Sequence, residues 1–138
     1  MESNEVNNLK MFDIVFVDIP RTNEDVSEQT GIHPYIIIQN NIGNKYSPTI
    51  LGISLTSKIK KENMPIHCVV PKTKSNGLKV DSMACAETLR QIDKKRILSK
   101  TGSIEDLDIQ KKIISIYIAN ITGIRNDIEY ENGILKVI

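Results

Sequence analysis

Cysteine and histidine are scarce: Cys68, Cys85, His33 and His67 are all that the 138 residues contain. Four such side chains are too few for a zinc ribbon or finger. His67 and Cys68 are neighbours, so on a strand they point to opposite faces and cannot share an ion. No run approaches the roughly 18 uninterrupted apolar residues of a membrane-spanning helix. Walker loop, dinucleotide fingerprint and nucleophile elbow are all missing, as are repeats, low-complexity tracts and Gly/Ser linkers. The start, Met1-Glu2-Ser3-Asn4-Glu5, is polar and acidic, unlike a signal or transit peptide. These absences lead to an expectation of one reduced, cytoplasmic domain with no metal and no cofactor.

What remains is ordinary globular material. Hydrophobic residues make up 40% and charged residues 25%, and a chain of this length buries enough surface to hold a core without disulfides. The net charge of +1 conceals an asymmetry. Residues 45–100 hold 12 Lys and Arg against 4 Asp and Glu, while the rest of the chain holds 6 against 13. A basic middle between acidic flanks focuses a field that attracts phosphates, unless the flanks fold back and neutralise it.

Several strands are legible. Asp13 to Asp18 is an apolar run ended by Pro20, and Pro20 to Pro34 reads as a long polar loop. Tyr35 to Gln39 is β-branched and continuous, a strand covered on both faces. Asn40 to Asn44 has turn chemistry, and a strand follows from Thr49 to Ser57. Lys58 to Pro65 and Lys72 to Lys79 are basic loops around a strand at Ile66 to Val70. Further strands are expected at Asp81 to Glu87 and at Arg96 to Leu98. Short strands joined by Gly, Pro and Asn turns favour a small antiparallel barrel.

One helix follows. Ser103 with Asp106 resembles a capping box, Leu107, Ile114, Tyr117, Ile118 and Ile121 share a face, and Gly123 suits the C-cap. Finally, Asp127 to Glu131 and Ile134 to Ile138 flank Asn132-Gly133, a strong hairpin signal.

The run Ile38-Gln39-Asn40-Asn41-Ile42-Gly43-Asn44-Lys45-Tyr46-Ser47-Pro48-Thr49 closely resembles the MazF/PemK family of toxin endoribonucleases. Three further matches keep the family order: Ser27-Glu28-Gln29 with Gly31 and Pro34, Thr56 within Leu55-Thr56-Ser57, and Glu87 through Arg90 to Arg96. The resemblance implies a mainly β (α+β) fold, an SH3-like antiparallel β-barrel with a C-terminal helix, here with an added C-terminal hairpin. It divides the chain into a lead-in (1–12), a toxin domain (13–123) and an extension (124–138). It also implies a homodimer that cuts single-stranded mRNA without a metal. The 2′-hydroxyl attacks its own phosphate, leaving a 2′,3′-cyclic phosphate and a 5′-hydroxyl. The implied partner is an antitoxin with an acidic, disordered C-terminal segment, and no membrane is involved.

By that resemblance His33, Thr56 and Glu87 are the candidate catalytic residues. Ser27, Glu28, Gln29, Tyr46, Lys58, Lys60, Thr88 and Arg90 are the candidate RNA contacts. Only six aromatic residues occur, so base stacking is sparse, with Tyr46 as its expected platform. Departures from the family are informative. His33 stands where relatives carry a catalytic arginine, replacing a permanent bidentate cation by a titratable ring. Thr88 stands where close relatives carry Gln, Phe12 where the family has glycine, and the hairpin has no counterpart in short members. Two readings follow: an active ribonuclease using His33, or a weakened member that only binds RNA or antitoxin.

Overall fold

The computed structural model describes residues 1–21 and 30–138. A short helix, α1 (Ser3–Asn7), precedes β1 (Asp13–Ile19) and β2 (Gly31–Ile37). Then come α2 (Asn41–Tyr46), β3 (Thr49–Thr56), β4 (His67–Val70) and β5 (Ser82–Asp93). A 3-10 turn at 94–96 leads to β6 (Ile97–Ser103), α3 (Leu107–Thr122) and a hairpin of β7 (Ile128–Glu131) and β8 (Ile134–Val137). The strands form one antiparallel six-stranded sheet in the order β4-β5-β3-β2-β1-β6, and the hairpin is a separate pair.

The sheet is open, not the closed barrel expected. Pro71 follows β4, and the chain there turns through 74–76, so β4 does not run on beside β6. The loop itself closes that seam. Asn76, buried, accepts from Thr73 N and Leu78 N at 3.0 Å each and donates to Pro71 O at 2.9 Å. Ser103 N then donates to Ser75 O at 3.0 Å, and the Thr101 hydroxyl donates to Asn76 O at 3.1 Å.

Each sheet face carries its own core, because successive side chains alternate. Ile36, Ile53, Leu55, Ala84 and Ala86 pack on one face against Ile113 and Ile116 of α3. Val15, Val17, Tyr35, Ile37, Ile50, Ile92 and Ile97 pack on the other. Strand β5 serves both ends of this second face by way of a wide bulge. Between the pairs Ser54–Cys85 and Gly52–Arg90, Ile53 alone on β3 faces Ala86 to Leu89 on β5.

Four local expectations are corrected. Asn40 to Asn44 is not a bare turn: the Asn40 side chain accepts from Gly43 N and caps α2. Strand β2 begins at Gly31, so His33 and Pro34 are strand residues, registered with Val17 and Phe16. Helix α3 is capped by Asp106, whose Oδ1 accepts from Asp108 N and Ile109 N, and not by Ser103. Its buried residues are Ile113, Ile116 and Ala119, whereas Leu107 and Ile121 are exposed. Isoleucine lies on nearly every side of this helix, so periodicity alone leaves its rotation undetermined.

The expected C-cap and hairpin are both present. Gly123 closes α3 in the left-handed region at φ 80°, and Asn132 and Gly133 turn the hairpin at φ 52° and 78°. The hairpin docks on α3 through Lys111–Glu129 and a hydrogen bond from Tyr130 to Gln110. Phe12, at the family's glycine position, adopts φ 73° with its ring in the core. A non-glycine residue in this left-handed region carries about 1–2 kcal/mol of backbone strain, offset here by burial of the ring.

Candidate active site

The string that most resembles the toxin family turns out to be scaffold. Gln39 Nε2 donates to Thr49 O at 3.0 Å and to Asn44 Oδ1 at 3.2 Å. Asn44, fully buried, returns a bond to Gln39 O at 2.8 Å, and the buried Lys94 ammonium donates to Asn44 O. These amides satisfy main-chain groups that the β2–β3 connection would otherwise bury unpaired. They fix the register in which Tyr35 faces Ser54 and Ile36 faces Ile53.

The β2–β3 pairing ends at Tyr35–Ser54, and His33 and Thr56 each stand two residues past that pair, at the same end of the two strands and on the same face. His33 Nε2 lies 2.6 Å from Thr30 O. A carbonyl only accepts, so Nε2 carries the proton and Nδ1 keeps its lone pair. The Thr56 hydroxyl oxygen accepts from Lys58 N at 3.1 Å, which leaves its proton available for donation. The pair therefore offers one proton acceptor beside one donor.

Glu87 lies on the same face but further along. Thr56 is registered with Met83, and Glu87 stands four residues beyond it, about 13 Å on an extended strand. Its carboxylate meets the buried His67, with Nε2 at 2.8 and 2.9 Å from the two oxygens. The other ring nitrogen, Nδ1, donates to Lys61 O at 2.9 Å. Cys85, registered with His67, completes a cluster whose three ligand-type atoms lie within 4.8 Å of one another. Arg125, beyond α3, steadies this corner by donating to Pro65 O at 2.9 Å, Met64 O at 3.1 Å and His67 O at 2.7 Å.

The remaining candidates are dispersed. Thr88 fills the β5 bulge: its hydroxyl donates to Cys85 O at 2.6 Å and accepts from Ser54 N at 2.9 Å. Arg90 hydrogen-bonds the buried Tyr35 hydroxyl. Lys58 and Lys60 are exposed just beyond Thr56. Tyr46 is 74% exposed with the Lys45 ammonium 5.2 Å from its ring centre, but it sits before the start of β3, over 20 Å from Thr56 by strand rise. Ser27, Glu28 and Gln29 lie outside the described residues.

Sequence reasoning missed His67, Cys85 and Tyr35 as members of this face. Cys85-x-Glu87 on a strand was the available signal, since alternate residues share a side. Partnership with His67 needed the β4–β5 pairing, which no local pattern encodes.

Tyr35 yields a pH prediction. Burial pushes its phenol above the usual value, and the Arg90 hydrogen bond and charge only partly oppose this. The folded state therefore holds the phenolic proton more tightly than the unfolded chain does. Its contribution is complete below the unfolded value of about 10 and is lost as pH rises through the folded one. Urea unfolding of wild type and Tyr35→Phe should show wild type losing its relative advantage above about pH 10. A constant difference across that range would contradict this.

Residues 10–114 match the family described as PemK-like, MazF-like toxin of type II toxin-antitoxin systems. A protein named Endoribonuclease MazF, from Staphylococcus saprophyticus subsp. saprophyticus, is 42% identical over 80 residues. That match covers 58% of this chain and 66% of the relative, just under two thirds of its length. The fold is similar to a crystal structure of MazF from Deinococcus radiodurans, with a TM-score of 0.66 and 17% identity over 84% of this chain and 97% of that one. It is also similar to a mycobacterial endoribonuclease in complex with its cognate antitoxin, with a TM-score of 0.63 and 15% identity over 84% and 96%. With three quarters of its length inside that match, the chain belongs to the PemK-like, MazF-like toxin family of type II toxin-antitoxin systems.

Proposed function

We propose that this toxin is a cytoplasmic, homodimeric endoribonuclease that cuts single-stranded mRNA without a metal and is restrained by an antitoxin bearing an acidic, disordered segment. The carrying observation is a proton acceptor, His33, and a proton donor, Thr56, at the same end of the neighbouring strands β2 and β3. His33 Nδ1 takes the proton of the 2′-hydroxyl, whose oxygen attacks the adjacent phosphorus. Thr56 donates to a phosphoryl oxygen as negative charge builds there. The 5′-oxygen leaves and takes a proton from water, giving a 2′,3′-cyclic phosphate and a 5′-hydroxyl.

Glu87 is assigned to strand binding and not to proton transfer, because it is remote from the His33–Thr56 pair and engaged by His67. Lys58 and Lys60 supply phosphate contacts beside Thr56. Thr88 acts by shaping the bulge that presents Glu87 and Arg90. The basic stretch 45–100 suits both RNA and an acidic antitoxin segment. Residues 13–123 form the toxin domain, and 124–138 an accessory that braces the cleft.

The test is purified protein with mixed-sequence RNA in EDTA. Cleavage at recurring short sequences, with cyclic-phosphate and 5′-hydroxyl ends, is the expected result. No cleavage at ordinary enzyme concentration, with RNA or antitoxin peptide still bound, would select the second reading, a member weakened by histidine at position 33.

A further inference from the structure

We propose that His67, Cys85 and Glu87 form a binding site for a divalent transition ion of zinc type, and that its occupation switches the cleavage described above off. The second half rests on the proposed function; the first does not.

The His67 ring is oriented as a metal ligand. His67 Nδ1 donates to Lys61 O, so the neutral ring has its lone pair on Nε2. That lone pair faces both oxygens of Glu87 at 2.8 and 2.9 Å. A cation placed there would meet the ring nitrogen and the carboxylate together. An imidazole whose second N–H is held by a main-chain carbonyl is how proteins orient metal-binding histidines.

Cys85 makes the site selective. Its sulfur lies within 4.8 Å of the imidazole and carboxylate atoms. A nitrogen, a sulfur and an oxygen suit zinc, with bonds of about 2.0–2.3 Å and ligand atoms roughly 3.4 Å apart in a tetrahedron. Glu87 is the exposed member and swings to open the His67–Glu87 contact, while Cys85 closes in. Three protein ligands leave the fourth position to water. Without a cation the thiol is inert: burial first, then the charge and hydrogen bond of Glu87, push it up to about 12. An ion reverses that balance by binding the thiolate.

Occupation by an ion fixes Glu87 within the cluster and withdraws it from the RNA strand. The ion therefore acts as an inhibitor of an enzyme whose chemistry needs no metal.

Cobalt(II) titration of the full chain tests the site independently of RNA. Uptake of one ion per chain with a thiolate-to-cobalt charge-transfer band is expected. The band should vanish in Cys85→Ser and persist in Cys68→Ala. Glu87→Gln should weaken binding at least about 10–100-fold, since loss of a mere supporting partner already costs that much. No stoichiometric uptake, or a band that survives Cys85→Ser, overturns the site. Zinc should then suppress wild-type cleavage, reversibly with EDTA, and should not suppress Cys85→Ser relative to that variant's own zinc-free rate. Cobalt binding by a protein that cleaves equally well with zinc overturns the switch; cobalt binding by one that never cleaves overturns the proposed function and the switch, and leaves the site standing.

Discussion

Replacing His33 by alanine is expected to lower the RNA cleavage rate by about 10²–10⁴-fold, the contribution of one positioned general base. The ring's Nε2–H is committed to Thr30 O, so only Nδ1 is placed to take a proton, and alanine removes it. Fold and stability should change little, because the side chain is half-buried at the polar end of β2. His33→Arg is the more discriminating variant. Guanidinium restores the cation that relatives carry and can grip phosphate in two places, but it does not release a proton near neutrality. The arginine variant should therefore bind RNA at least as tightly as wild type while cleaving it more slowly. Cleavage left undiminished by His33→Ala would remove the role assigned to this residue.

Gly102→Ala should be among the most damaging single-methyl substitutions, destabilising on the order of 4 kcal/mol. An added Cβ would sit 2.2 Å from Ser75 O and 2.6 Å from the Asn76 carbonyl carbon. Both are main chain, held by the buried Asn76, so neither can turn aside as a flexible side chain would. Gly77 meets Thr101 in the reciprocal contact, with a Cβ only 2.3 Å from Thr101 O. Together the two glycines let loop and strand touch where β4 and β6 do not pair. Gly123→Ala provides the calibration: it has φ +80° but nothing within 4 Å, so it carries backbone strain alone, about 1–2 kcal/mol. Thermal unfolding should separate them, with Gly102→Ala losing roughly 10–20 °C. Equal losses in the two variants would show that the seam tolerates the methyl.

Local chemistry made much of this architecture readable. β-Branched runs announced β1 to β4, Asn132-Gly133 announced the hairpin, and Gly123 announced the end of α3. The family resemblance was visible in an unbroken string from Ile38 to Thr49, yet that string works through buried amides that set the β2–β3 register. What escaped the sequence depended on contacts between distant segments. The rotation of α3 is decided by the sheet it packs on. The open seam is decided by Asn76 and Gly77, which follow β4, meeting Gly102 within β6, a segment distant in sequence. His67 joins Cys85 and Glu87 only through strand pairing, a contact that no local spacing of ligand residues encodes.

Arg125 gives the added hairpin a mechanical consequence. One guanidinium, rooted between α3 and β7, holds three carbonyls at the threshold of β4. Peeling the tail from the helix would strip those oxygens of their donor and let the bend relax outward, carrying the imidazole of position 67 with it. The tail and the start of β4 therefore open as a single cooperative unit, and disorder introduced at one is felt at the other.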